Sequence, residues 1–516
     1  MDLLYISVAI PLGAVALIYG WKFLNWAWFI PKKLEKSLRQ QGFNGNSYKF
    51  MLGDLNEIMA MEKESLSKPI TSFSHDFSPR ILPFLHKTFT NYGKNSFVWF
   101  GTDPAVFIWD LEKIREILSK AFVFQKLSNP MGEVLAKGLT SYETDKWAKH
   151  RRLINPAFQM DKIKQMPPSF YMSCCDMLSE WEKIVPTSDE GWIELDVWPY
   201  LQTLTSDAIS RTAFGSSYGQ GKKIFQLQKE LAALLMKATL SFFIPGFRFL
   251  PTRANIRMNR IRKEVESLLL DLIDKRTKAI EAGEAITDNL LDMLLESNMK
   301  EKQEKGNKFG MSMQDVVEEC KLFYIAGQET TSSLLVWTMI LLSNHSDWQA
   351  RAREEVKQAF GTAQPHFQGL NGLKIVSMIL QEVLRLYPPV FMIARKTHKE
   401  TAIGNVSFPA GVNLILPVVQ VQHDRKIWGD DATEFKPERF SEGVGKATEG
   451  QFSYFPFGWG PRICIGQNFA MLEAKMAVAM ILQRYSFELS PSYSHAPTTL
   501  LFLQPQHGAH LILRKV

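Results

Sequence analysis

Cysteine is scarce in this chain: four residues in 516, at Cys174, Cys175, Cys320 and Cys464. Four are too few for a disulfide scaffold, and the adjacent pair cannot easily bridge each other. No C-x-x-C spacing offers a zinc site, so a reducing, cytosol-facing chain is expected. Long Gly/Ser linkers, internal repeats and low-complexity blocks are absent too. One large domain is therefore the simpler reading of a length that alone allows two or three. No G-x-G-x-x-G lies on a strand–helix turn, so the chain has no dinucleotide fingerprint of its own. Neither sign of charge dominates. A net charge of +7 gives no argument for nucleic acid, but it suits an acidic partner or an anionic membrane surface.

Apolar residues make up 46% of the chain, enough for a sizeable core. Leu3 to Tyr19 carries no charge, and Trp21, Phe23, Leu24, Trp26, Trp28 and Phe29 extend the run. This length is near the lower limit for a membrane-spanning helix, and tryptophans suit its interfacial end. Lys32, Lys33, Lys36 and Arg39 follow, while only Asp2 precedes. The expectation is a single-pass anchor over residues 1–30, with residues 31–516 forming one cytosolic domain. Ser96–Phe100 and Ala105–Trp109 read as two strands around a Gly-Thr-Asp-Pro turn, and Leu111–Ser119 as a helix. Lys300–Lys308 reads as an exposed charged loop. Most of the remainder has helical period, so the fold is expected to be mainly α with a small β-rich region.

The most distinctive stretch is Phe455-Pro-Phe-Gly-Trp-Gly-Pro-Arg-Ile-Cys-Ile-Gly-Gln-Asn-Phe-Ala470. A Gly/Pro-rich loop carries Cys464, and a helix starts near Gly466. Unpaired N–H groups and the dipole at a helix N-terminus lower a thiol pKa. Gly460 and Gly466 keep Cβ atoms away from the sulfur, so a flat ligand can lie close to backbone. Arg462 adds positive charge.

Three further motifs are weaker alone. Trp147 and Arg151, at i and i+4, offer two donors to a carboxylate, or belong to a solvated basic face with Lys146, Lys149, His150 and Arg152. That same face suits docking of an acidic electron donor. Ser312-Met-Gln-Asp315 is a capping-box start for a helix running to about Asn344. In its middle lies Ala326-Gly-Gln-Glu-Thr-Thr331, where Gly327, Glu329 and Thr330 either open the ladder to water or form a polar spot in a buried helix. Glu382 and Arg385, at i and i+3, share a helical face before Pro388-Pro389, and Phe435-Lys-Pro-Glu-Arg439 follows.

Together these residues resemble the cytochrome P-450 monooxygenases. Phe457, Gly460, Arg462, Cys464 and Gly466 match the haem-binding signature. The resemblance implies a helical fold holding haem b with Cys464 as its thiolate ligand. It also implies that Trp147, Arg151 and Arg395 hold the haem propionates, and that Arg462, Phe457 and Gly460 belong to the cofactor site. Thr330 and Glu329 would handle protons for O2 activation, and Glu382, Arg385 and Arg439 would form a structural triad. Electrons would come from an NADPH-cytochrome reductase at the endoplasmic reticulum membrane. Trp28–Glu35, His495–Thr499 and Leu503–His510 resemble the plant 72 clan, which acts mostly on isoprenoids. By position Phe323, Tyr324, Ala326, Val390, Phe391, Ile393 and Leu500 would line an apolar pocket. Such a lining leans toward a triterpenoid, with an iridoid, a gibberellin or another hormone as alternatives. A haem-thiolate isomerase or dehydratase that needs no O2 is the rival reaction class, and Thr330 argues against it.

Overall fold

The computed structural model describes residues 2–516 except 71–72, 128–129, 186–190, 216–217, 245, 285–286 and 307–309. Asp2–Leu24 forms helix α1, a π-helical turn spans Asn25–Phe29, and α2 runs Ile30–Gln40. Among the described residues no helix is long and apolar enough to cross a membrane. The single-pass anchor expected over residues 1–30 is therefore not borne out as a spanning helix. Its charge-free run is near the minimum length, and Lys22 falls in the last turn of α1. This helix nevertheless leaves Ile10, Leu17, Tyr19 and Trp21 more than half exposed.

The rest is mainly helical. Five short strands form the principal sheet: β1 (Phe97–Phe100), β2 (Asp103–Phe107), β3 (Phe124–Lys126), β4 (Ile393–Thr397) and β5 (Asn413–Leu416). Their spatial order is β1-β2-β5-β4-β3. All neighbours are antiparallel except β2 and β5. The β1–β2 hairpin turns at Gly101, whose φ of +63° only glycine adopts freely. A small core of Leu34, Phe97, Trp99, Val106, Phe124 and Leu414 seals this sheet against α2. Helix α3 (Leu111–Ser119) starts on Asp110, whose carboxylate accepts from the Lys113 N–H at 3.0 Å.

The larger core surrounds one long helix. α4 (Thr144–Ile154) and α5 (Trp198–Phe214) precede it, and α6 (Lys374–Leu386) and α7 (Gln467–Arg484) follow. The central helix, Met313–Asn344, has 32 residues and spans roughly 48 Å. Its expected capping box is present, with Ser312 and Asp315 bonded reciprocally. Because it threads the core, nearly all of Leu334–Ser343 is buried. The charged loop expected at Lys300–Lys308 is in part helix: Leu290–Lys305 continues as one element, since nothing in Lys-Glu-Lys-Gln-Glu-Lys breaks a helix. Residues 307–309 lie outside the described set.

Candidate functional site

Cys464 lies between a short 3-10 turn, Gly460–Arg462, and α7, whose N-cap is Gly466. Its N–H donates to the Phe457 carbonyl at 2.9 Å, which closes the loop. The thiol is exposed, yet protein surrounds it closely. Burial raises its pKa, against the lowering influence of the Gly466 N–H, Arg151 and Lys126. The expected net lowering is thus overturned: desolvation of the anion outweighs the helix terminus and the cations. A Cβ at Gly466 would stand in ordinary contact with Phe158 at 3.8 Å and with Sγ at 4.0 Å, so the glycine keeps that side of the sulfur free of a side chain. Gly460 has a different reason from the one expected. Its φ is +69°, and a Cβ would meet the Leu118 carbonyl oxygen at 2.6 Å, so it lets the loop dock on the end of α3.

Beside the loop is a concentration of cations. Arg462 donates to the Tyr142 carbonyl at 3.1 Å and to Glu143 at 2.5 Å, and its guanidinium lies 4.4 Å from the Trp147 ring centre. Arg151 donates to the Ile463 carbonyl at 2.9 Å. Arg395 is buried on β4, and among the described residues its guanidinium bonds the carbonyl of Ala394 beside it. The Nε atoms of Arg395 and Arg462 are buried without a partner among the described residues. Burial, then Arg462, lowers the Arg395 pKa to about 10. Buried donors without acceptors are costly, so this grouping is suited to an anion with several oxygens.

On the central helix, Phe323, Ala326 and Thr330 share a face. Ala326 is exposed there and Thr330 is half-buried. The Thr330 hydroxyl donates to the Ala326 carbonyl at 2.6 Å, and the helix stays continuous. The expected opening of the ladder is replaced by this back-bond. Gly327 serves packing instead: a Cβ would meet Ile209 of α5 at 2.7 Å. Glu329 is half-buried, and burial raises its pKa while Lys229 and Gln328 lower it. Tyr324 does not join the pocket face. It is fully buried, stacked 4.3 Å from Phe214 with Phe225 edge-on, because one residue beyond Phe323 turns it about 100° round the helix. Val390, Phe391 and Ile393 are half-buried, and Leu500 is exposed. Two surface hollows, of about 420 and 440 Å³, involve neither Cys464 nor Thr330.

Glu382 and Arg385 are fully buried and bonded in a fork, at 2.7 and 2.8 Å. Arg385 also takes the carbonyls of Gln422, Ala432 and Glu434. Arg439 approaches Glu382 at 3.5 Å, but its shorter bonds go to Asp431 and Trp428. The segment before the cysteine loop is thereby pinned to α6.

The basic docking face expected on α4 is internally committed. Lys146 pairs with Asp315, Lys149 donates to the Gly310 carbonyl, and Arg152 pairs with Glu301. His150 is fully buried, 2.7 Å from Glu319. Its position three residues after Trp147 was the available signal, since both fall on the inward face. Glu143 and Lys126 went unnoticed in the sequence, because only tertiary contact brings them to Arg462 and Arg395.

The cytochrome P450 family model matches residues 73–513. The chain belongs to the cytochrome P450 family. It is 58% identical to cytochrome P450 CYP72A219 of Panax ginseng, over 97% of each chain. It is 57% identical to cytochrome P450 72A397 of Kalopanax septemlobus, over 96% of each. With cytochrome P450 72A15 of Arabidopsis thaliana it shares 53% identity over 99% of each. The resemblance to the plant 72 clan is borne out. As a cytochrome P450 the protein is a haem b monooxygenase that uses O2 and a redox-partner reductase.

Proposed function

We propose that this cytochrome P450 hydroxylates an apolar plant isoprenoid, most specifically a triterpenoid, with Cys464 as the residue that would hold the haem b iron through its thiolate. The observation that carries the ligand assignment is the Cys464 loop set beside buried, unpartnered arginine donors. Arg395 and Arg462, with their unpartnered Nε atoms, together with Arg151 and Trp147, would hold the two haem carboxylates. Gly466 places no side chain beside the sulfur. Coordination to the iron would hold this thiol in its thiolate form, although burial alone raises its pKa. The chemistry supplied by bound haem is oxygen insertion: one atom of O2 enters a C–H bond, and the other leaves as water with two electrons and two protons.

The chain's own part is positioning and proton handling. Thr330, anchored to the Ala326 carbonyl, holds its hydroxyl oxygen at the open face of the central helix. Glu329, with its pKa raised, can hold a proton, and Gln328 and exposed Lys229 link it toward solvent. Phe323, Val390, Phe391 and Ile393 offer an apolar lining with no charge for a sugar or a carboxylate, which favours a hydrocarbon skeleton.

Electrons come, on this reading, from an NADPH-cytochrome reductase. Residues 1–30 hold the protein at the endoplasmic reticulum membrane with residues 31–516 in the cytosol. Exposed Ile10, Leu17 and Trp21 followed by exposed Lys33 and Lys36 support that attachment.

The test is product formation in microsomes holding the protein and a reductase, with triterpenoids, iridoid glycosides and gibberellins offered in parallel. Hydroxylated triterpenoid, with NADPH consumed only when it is present, is expected. Turnover confined to the glycosides or acids would contradict the substrate reading, and product without O2 would contradict the reaction class.

A further inference from the structure

Lys126 is the last residue of β3, and in the antiparallel register it stands directly opposite Arg395 on β4. Directly opposed residues of an antiparallel pair project from the same face of the sheet. Two like charges so placed repel, and ordinary sequences avoid them. Here the repulsion is compounded. Burial first, then Arg395 and Arg462, lowers the Lys126 ammonium to about 7, with Arg151 adding to the effect. Among the described residues the carboxylate that chiefly opposes this is Glu143. Its side chain is committed to Arg462 and to the Lys126 backbone N–H. Four cations therefore converge around one carboxylate that is already engaged. A solvated surface lysine has no reason to enter such a group, because its flexible stem reaches water readily.

We propose that Lys126 is a further cofactor-positioning residue, a cation from the sheet that pairs with a haem carboxylate alongside Arg395. Two carboxylates arriving among Lys126, Arg151, Arg395 and Arg462 would offset most of the excess positive charge that Glu143 leaves. The sheet thereby contributes two adjacent cations to the cofactor, while the cysteine loop and α4 contribute the others. Glu143 plays a separate part, fixing Arg462 and the end of β3 so that the Lys126 side chain is aimed by its own backbone. The proposal rests on the placement of haem carboxylates among these arginines.

The experiment uses holoenzyme and reads cofactor retention rather than turnover. Haem transfer to excess apomyoglobin and the reduction midpoint are measured for wild type, Lys126→Met, Lys126→Arg and Arg395→Met. Loss of one charge-assisted hydrogen bond predicts about tenfold faster release for Lys126→Met and for Arg395→Met. Lys126→Arg should release haem close to the wild-type rate. Removing a positive charge beside the haem also disfavours adding an electron, so the midpoint of Lys126→Met should fall. In the haem-free protein the same substitution removes a repulsion, so it should melt no lower than wild type. Wild-type release and midpoint in Lys126→Met, with fast release in Arg395→Met, would overturn the role of Lys126 and leave the arginine placement standing. Unchanged release in both would overturn the arginine placement and this inference with it.

Discussion

Thr144 has a φ of +50°, in the left-handed region that a β-branched side chain rarely enters. It follows Glu143, the carboxylate that ties Arg462 to the end of β3. The strain is thus stored where α4 starts and where the cation cluster is held. Thr144→Gly should relieve it and stabilise the holoprotein by about 1 kcal/mol, read as a higher urea midpoint at unchanged slope. A lower midpoint would mean that the threonine makes a contact worth more than its strain. Nothing in Tyr-Glu-Thr-Asp-Lys announces a positive φ, so this residue was illegible in advance. Cys464, Arg462 and Gly466 were legible because a short loop fixes their relation within a few bonds. Gly460 was noticed for the wrong reason, since its steric partner, Leu118, belongs to a distant helix.

The central helix and α4 are locked by a buried carboxylate. Glu319 accepts from the Leu139 N–H at 3.0 Å and faces His150 at 2.7 Å, while Glu318 accepts from the Lys137 N–H and pairs with Lys321. Between these two backbone donors Gly138 has φ +52°, and a Cβ there would meet Glu319 at 2.8 Å. The segment leading to Tyr142 and Glu143 is therefore seated on the central helix, and through them Arg462 is too. Glu319→Ala leaves both buried partners without an acceptor. It should destabilise by about 3 kcal/mol. The check is urea unfolding, and a loss well below 1 kcal/mol would show that water takes the carboxylate's place. The long helix, its capping box and the first hairpin were all readable from periodicity and turn chemistry. The clamp was not, because Glu318 and Glu319 sit inside an apolar helix as ordinary interruptions until α4 is packed on it. Periodicity does separate Tyr324 from Phe323, but only once the open side of the helix is known.

A buried histidine cluster sets the acid limit of the protein. His75 bonds the Tyr387 hydroxyl at 2.8 Å, His495 bonds Tyr493 at 2.9 Å, and His423 faces the Leu386 carbonyl at 2.8 Å. Burial lowers His75 and His423 to about 3 and His495 to about 4. A folded pKa below the unfolded one means that the unfolded chain binds protons first. Their contribution is therefore complete above about pH 6.5 and is lost as the pH falls toward about 3. The urea midpoint should drop across that window, and His495→Asn should flatten part of the drop. A midpoint independent of pH there would place these rings in water. These contacts join the residue 74–77 segment, α6 and the C-terminal strands, so acid loosens the frame that carries the pocket residues. All of this matters to function only if the sulfur of Cys464 binds the haem iron, and the reduced carbon monoxide complex reports that bond directly. Wild-type protein should give the red-shifted Soret band of a thiolate-ligated haem, and Cys464→Ala should lose it. A red-shifted band that survives the substitution would contradict the assignment of Cys464.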